Sequence, residues 1–207
     1  MKQTLISASI VAMLSSGAIA GNIDLAIADA VMTPPASTST DWSGSYCGMS
    51  YSSVDGTEYS AGTRNDYVDG TAIGGFCGNN WQRSNLVYGG ELNVTAGSLG
   101  ITTSGPPIDH LGTRIELRAR VGYALGDALV YGFLGYGESE ITSTRGSPPY
   151  DLAGGTYGLG VDYMVTDRMF AGLEVSNLEL KGRPPGDFGE YTHDINVISL
   201  RIGWKFN

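Results

Sequence analysis

Between Gly112 and Leu125 the chain reads Thr113-Arg114-Ile115-Glu116-Leu117-Arg118-Ala119-Arg120-Val121-Gly122-Tyr123, with apolar or aromatic side chains at the odd positions from Ile115 onward. Arg114, Glu116, Arg118, Arg120 and Gly122 occupy the even ones. A period of two held this long predicts a β-strand with one oily and one polar face. A helix would scatter the four charges around its circumference. The strand gathers them on one side, too many for an apolar core but suited to water or a polar lumen.

The same alternation predicts seven further strands: Trp42–Ser53, Thr71–Trp81, Asn85–Ala96, Ala128–Ile141, Ala153–Val165, Met169–Lys181 and Ile195–Phe206. Long polar segments, Val54–Gly70, Gly97–Leu111, Thr142–Leu152 and Gly182–Asp194, alternate with tight turns at Gln82-Arg83-Ser84, Gly126-Asp127 and Thr166-Asp167-Arg168. All long connections therefore lie at one end and all short ones at the other, the plan of an up-and-down barrel.

Binary patterning alone also fits a soluble, lipocalin-like carrier with its oily face inward. Three features favour the opposite arrangement. Gly89, Gly122, Gly158, Gly160, Gly172 and Gly203 share the polar face with long charged residues, and the narrow lumen of an eight-stranded barrel needs small neighbours beside Arg and Glu. Tyr88, Tyr123, Tyr131, Tyr163, Trp204 and Phe206 cluster toward the short turns, as an interfacial aromatic belt would. The last strand also ends with Trp204 and Phe206 on its apolar face. The expected fold is all-β: an eight-stranded antiparallel up-and-down transmembrane β-barrel.

The first twenty residues read as an export signal. Lys2 supplies the positive start, Leu5–Leu14 the apolar run and Ala18-Ile19-Ala20 a small-residue cleavage site, with Ala26-Ile27-Ala28 a second. Residues 21–41, with Pro34-Pro35 and a Ser/Thr run, read as a flexible lead-in, and 42–207 as the barrel. No run of eighteen apolar residues predicts a membrane helix. Removing Lys2 takes the formal charge from −9 to −10, and that balance, without a basic stripe, argues against nucleic acid as a partner.

The chain resembles the small outer-membrane β-barrels of Gram-negative bacteria, the porin-like opacity and surface-antigen proteins. The matching pieces are Trp42-Ser43-Gly44-Ser45-Tyr46, Gly74-Gly75-Phe76-Cys77-Gly78-Asn79-Asn80-Trp81, Leu117-Arg118-Ala119-Arg120-Val121-Gly122-Tyr123-Ala124, Gly158-Leu159-Gly160-Val161-Asp162-Tyr163 and Arg201-Ile202-Gly203-Trp204-Lys205-Phe206. The resemblance implies a place in outer-membrane lipid, with both termini periplasmic. It also implies delivery by periplasmic chaperones and an insertion machinery that reads the terminal aromatic strand, here Trp204 and Phe206. This chain departs in carrying Asn207 after Phe206. The family implies no single activity, and the ligand of the loops is left open.

The expected lumen set is Glu91, Arg114, Glu116, Arg118, Arg120, Glu138, Glu140, Asp162, Glu174, Arg201 and Lys205. Mixed signs point to pairing across the bore, as a salt-bridged plug or as a narrow ion path. Arg118, Arg120, Glu91, Glu174 and Arg201 would form the constriction under either reading. An outer-leaflet lipid hydrolase would need a Ser/His pair with an acidic orienter. His110 and His193 are the only histidines, and both are read as solvated in or beside long loops. No catalytic, cofactor or metal site is assigned. Cys47 and Cys77 sit symmetrically about residue 62, so hairpin pairing could place them opposite each other for a disulfide, while a one-residue slip would send them to opposite faces. A structural or surface-interaction protein with at most weak permeation is the expected role.

Overall fold

The computed structural model describes residues 40–60, 63–66, 70–97, 99–101, 109–143, 148–183, 185, 189 and 191–206. The export signal and most of the lead-in lie outside the described residues. The strands are β1 (Gly44–Ser60), β2 (Thr63–Asp66), β3 (Gly70–Arg83), β4 (Leu86–Gly97), β5 (Leu99–Ile101), β6 (Asp109–Leu125), β7 (Ala128–Ser143), β8 (Tyr150–Met164), β9 (Met169–Gly182) and β10 (Tyr191–Lys205). Eight of them form the wall, each antiparallel to its neighbours, and β10 closes onto β1. The short strands β2 and β5 only extend the long-loop end, pairing with β1 and β6. Closure leaves the eight-stranded wall without a free edge, so its backbone polar groups are satisfied internally, as lipid demands.

The pairing register fixes the barrel's stagger. From Cys47 it passes through Cys77, Leu92, Leu117, Tyr136, Gly155, Glu179 and Asp194 and returns to β1 at Thr57, ten residues beyond its start. Stagger of this kind accompanies a strand tilt of roughly 35–45°. At the Gly126-Asp127 turn, Gly126 adopts φ 61°, which L side chains rarely tolerate.

The strands run longer than the sequence alone predicts. β1 continues to Ser60, β6 starts at Asp109 and β10 starts at Tyr191. These extensions still alternate, with Val54 and Glu58 inward and Ser53, Asp55 and Tyr59 outward. Their outward residues are mostly polar, so they look like loop to any reading that counts only apolar alternation.

Outward positions of the central wall are apolar and exposed, among them Leu92, Ile115, Leu117, Leu134, Leu159, Leu173 and Leu200. Trp81, Tyr88, Tyr123, Tyr163, Trp204 and Phe206 face outward near the short turns, and Tyr51, Tyr136 and Tyr157 face outward nearer the loops. One member of the expected belt is misplaced: Tyr131 is buried in the lumen. Strand β7 is apolar on both faces, with Leu129, Tyr131 and Phe133 inside and Val130, Leu134 and Tyr136 outside, so alternation cannot choose between them.

Candidate functional site

Four inward positions in succession on β6 carry Arg114, Glu116, Arg118 and Arg120. Across the bore, β4 supplies Glu91, β8 Asp162, β9 Glu174 and β10 Arg201, all buried. Four arginines thus meet four carboxylates, and the cluster's formal charge is zero.

Glu91 is the hub. Its carboxylate accepts from Arg120 Nη1 at 2.8 Å, from Arg201 Nη2 at 2.6 Å and Nη1 at 3.1 Å, and from the Tyr46 hydroxyl at 3.0 Å. Glu174 accepts from Arg118 Nη1 at 2.7 Å, from the Tyr131 hydroxyl at 2.9 Å and from Arg201. Glu116 takes Arg114 Nε at 2.6 Å and Arg118 Nη2 at 2.8 Å, while Arg120 Nη2 reaches Asp162 at 2.9 Å. Every carboxylate therefore has a cationic partner. Taking charges out of water is costly unless each is paired and hydrogen-bonded; here every charge is paired, while Arg120 Nε and Arg201 Nε make no hydrogen bond.

Two apolar layers bound the network. Toward the short turns Trp42, Tyr46, Phe76, Val87, Leu129, Tyr131, Phe133, Met164 and Phe170 pack together inside the bore. Their rings also cover the guanidinium faces: Arg201 lies 3.9 Å from the Phe76 centroid, Arg120 3.9 Å from Tyr131 and Arg118 4.4 Å from Phe133. Toward the loops Val54, Ala72, Leu111, Ile141, Leu152, Leu178, Leu180, Ile195 and Val197 form a second, aliphatic layer. Trp42 is held in the aromatic layer by edge contact with Phe170, and its backbone N–H donates to Gln82 Oε1 at 2.6 Å.

The aromatic layer exists because glycine faces it. Tyr131 pairs across strands with Gly160, Phe133 with Gly158, Phe170 with Gly203, Phe76 with Gly48 and Tyr46 with Gly78. A Cβ at Gly203 or Gly160 would run into the Phe170 or Tyr131 ring. Gly158, Gly160 and Gly203 are thus explained by these rings, whereas Gly172 makes room for the Asp162 carboxylate and Gly135 and Gly137 lie against the Arg118 and Glu116 side chains, as sequence reasoning credited. No alternation rule marks the rings as internal. The signal that could have found them is glycine at the matching register position.

Not all predicted lumen residues join the network. Glu138 and Glu140 point outward and are exposed, and Ser139 takes the inward position between them. The correction follows from β7's ambiguous parity: once Tyr131 and Phe133 are inside, Glu138 and Glu140 must be outside. They lie beyond Tyr136 toward the loops, where an outward charge meets water. Lys205 is inward but separate, donating to the Asp41 carbonyl near the short-turn end.

His193 also departs from expectation, for it is an inward residue of β10 with no exposed surface, paired in register with the buried Glu58 of β1. The lipid-hydrolase reading needed a histidine at the membrane rim, and His193 is walled off from it. His110 belongs to β6, and its side chain lies outside the described residues. Among the described residues no three His, Cys, Asp or Glu side chains converge on a metal position. Cys47 and Cys77 are direct cross-strand partners with Cα atoms 4.0 Å apart and form a disulfide on the outer side of the wall. Trp204 and Phe206 are outward and exposed at the end of the closing strand.

Comparison with known proteins agrees with this architecture. The chain is 29% identical over 136 residues to a 22 kDa outer membrane protein of Rhizobium leguminosarum bv. viciae, a match spanning 63% of this chain and 64% of that relative's length. In fold it is similar to the outer membrane protein OprG of Pseudomonas aeruginosa, with TM-score 0.54 and 15% identity over 80% of this chain and 97% of that one. It is also similar to Neisserial surface protein A, with TM-score 0.55 and 13% identity over 79% and 98%. The profile of the outer membrane protein beta-barrel domain matches residues 25–206, so the chain belongs to that family and is an outer-membrane β-barrel protein.

Proposed function

We propose that the barrel is a closed scaffold that holds its loops at the cell surface, a structural or surface-interaction protein rather than a pore. One observation carries this reading: the lumen is filled by a charge-balanced network between two apolar layers. An ion path wants a wetted bore with one sign of charge or a gate. Here a passing ion would have to break several buried ion pairs and part an aliphatic and an aromatic layer.

In this reading the short turns and both ends of the barrel domain face the periplasm and the four long connections face outward. The first twenty residues are removed on export, and Trp204 with Phe206 is the feature read by the insertion machinery and its chaperones. The dense short-turn belt and the long connections, acidic taken together and Pro-containing in three of the four, support that orientation.

The test is single-channel recording of the refolded protein in planar bilayers, with folding verified by heat-modifiable gel mobility. A silent bilayer is expected. Steady openings altered by Arg118→Ala or Glu174→Ala would overturn the closed-scaffold reading. Orientation is tested by biotinylating the Ser147→Cys variant on intact cells, in a Cys47→Ser/Cys77→Ser background. Labelling without permeabilisation is expected, and labelling only after it would reverse the assignment.

A further inference from the structure

Outside the bore, a slanted groove of about 810 Å³ crosses the wall from β6 to β10. The register shows how it is built. One wall is the row Val121–Gly132–Leu159–Val175 and the other is the row Ala119–Leu134–Tyr157–Asn177–Asn196, each a line of direct cross-strand partners. Between them runs the row Arg120–Phe133–Gly158–Ser176, whose side chains turn inward where they have any, so main chain forms the floor. Adjacent outward rows flank such a floor everywhere on a barrel. This stretch is roomier because two of its wall positions, Ala119 and Gly132, carry little or no side chain.

The two ends of the groove differ. Its β6 end is wholly apolar. Its β10 end carries a polar cluster, in which Asn177 Nδ2 donates to Asp194 Oδ1 at 2.5 Å and to Asn196 Oδ1 at 3.2 Å. Asn196 is exposed there.

The dimensions identify the occupant. Five strands span four interstrand spacings of roughly 4.8 Å, so the groove is about 19 Å long. Strands tilted by roughly 35–45° make a groove perpendicular to them descend about 11–14 Å through the bilayer. One leaflet's hydrocarbon is about 15 Å deep. The groove therefore starts at a carboxamide cluster on the loop side and ends near mid-bilayer, within one leaflet.

We propose that this groove holds one acyl chain of an outer-leaflet lipid, with the lipid's ester or amide linkage against Asn177 and Asn196. The assignment to the outer leaflet rests on the orientation proposed above; the fit of chain to groove does not. A second copy of the protein is the weaker occupant, because a slot one residue-row wide and polar at one end matches a single chain with a polar head. Lipid on a barrel's outer wall is ordinarily exchangeable solvent. Here one molecule would be retained as a ligand.

The test is native mass spectrometry of the refolded protein released from phosphatidylcholine nanodiscs, comparing wild type with Ala119→Phe/Gly132→Leu, which fills the groove. A Cβ at Gly132 would meet Leu159 Cδ2 at 3.3 Å, so the side chain is accommodated with a small shift. Heat-modifiable mobility verifies folding, and Leu92→Phe, outward on β4, is the control. Wild type and control should each retain one lipid more than the filled variant. Asn177→Ala/Asn196→Ala should keep the groove but release that lipid at lower activation energy, which leaves a second readout if the filled variant folds poorly. Equal retention in all four proteins would overturn the proposal. So would dimers released from wild type and abolished by filling. Both leaflets of the nanodisc hold the same lipid, so an inverted orientation in cells would leave this result unchanged and would appear only in the surface-labelling experiment.

Discussion

The two apolar layers inside the bore do the same job with different materials. The loop-end layer is aliphatic: Leu178, Leu180, Ile195 and their neighbours seal by close packing alone. The short-turn layer is aromatic, and its members have a second contact. Tyr131 and Tyr46 send hydroxyls into the charge network, and Phe76 and Phe133 lie against guanidinium groups. One layer thus only excludes water. The other excludes water and also holds the network's geometry, which makes the lumen's polar centre and its lower seal one cooperative unit.

That difference can be broken most severely at its centre. Arg201→Ala removes the cation shared by Glu91 and Glu174 and should cost about 3–5 kcal/mol, the usual penalty for leaving buried charge uncompensated. Urea unfolding of the protein in lipid vesicles, followed by gel mobility, measures it. Leu178→Ala in the aliphatic layer should cost about 2–4 kcal/mol from lost burial and the remaining cavity. Its effect should add to that of Arg201→Ala if the loop-end layer is independent of the network, and a coupling above about 0.5 kcal/mol in the double mutant would contradict the distinction drawn here. Tyr131→Phe keeps the ring and removes its hydrogen bond to Glu174, for a cost of about 1.5–2 kcal/mol. That substitution should couple strongly to Arg201→Ala.

The smallest expected effect lies outside both layers. The Ser43 hydroxyl and amide donate to Asp41, holding its carboxyl below the usual value of 3.8. A lowered folded-state value means that Asp41 stabilises the fold above the ordinary carboxylate range and stops doing so as pH falls through its lowered value. Asp41→Asn should lower stability slightly at neutral pH and flatten that part of an acid-unfolding curve.

Much of this architecture can be read from the chain. Arg114, Glu116, Arg118 and Arg120 alternate with Ile115, Leu117, Ala119 and Val121, and only a strand between lipid and a polar lumen reconciles them. Glu91, Asp162, Glu174 and Arg201 follow by the same parity. The reading fails where both faces of a strand are apolar. On β7 nothing in the alternation says that Tyr131 is inside and Glu138 outside, because that is settled by register against Gly160 and Ala153. It fails again at the strand tops, where His193 keeps the inward parity of Ile195 and Val197 beyond the apolar band and so passes for a loop residue. Register is a long-range property, and a one-residue slip exchanges the faces, so local pattern cannot supply it.

The Cys47–Cys77 bond joins the first two wall strands on the outer side of the barrel, beside Trp204 of the closing strand. That position is on the lipid-facing side of the wall, next to the aromatic belt, where a charged thiolate is disfavoured. Thiol–disulfide exchange needs such a thiolate to attack sulfur. On the assembly route proposed above, the bond's oxidation state would be set while the hairpin is still in water and kept once the barrel closes in the membrane. On that route each molecule would carry a chemical record of the compartment through which it was assembled.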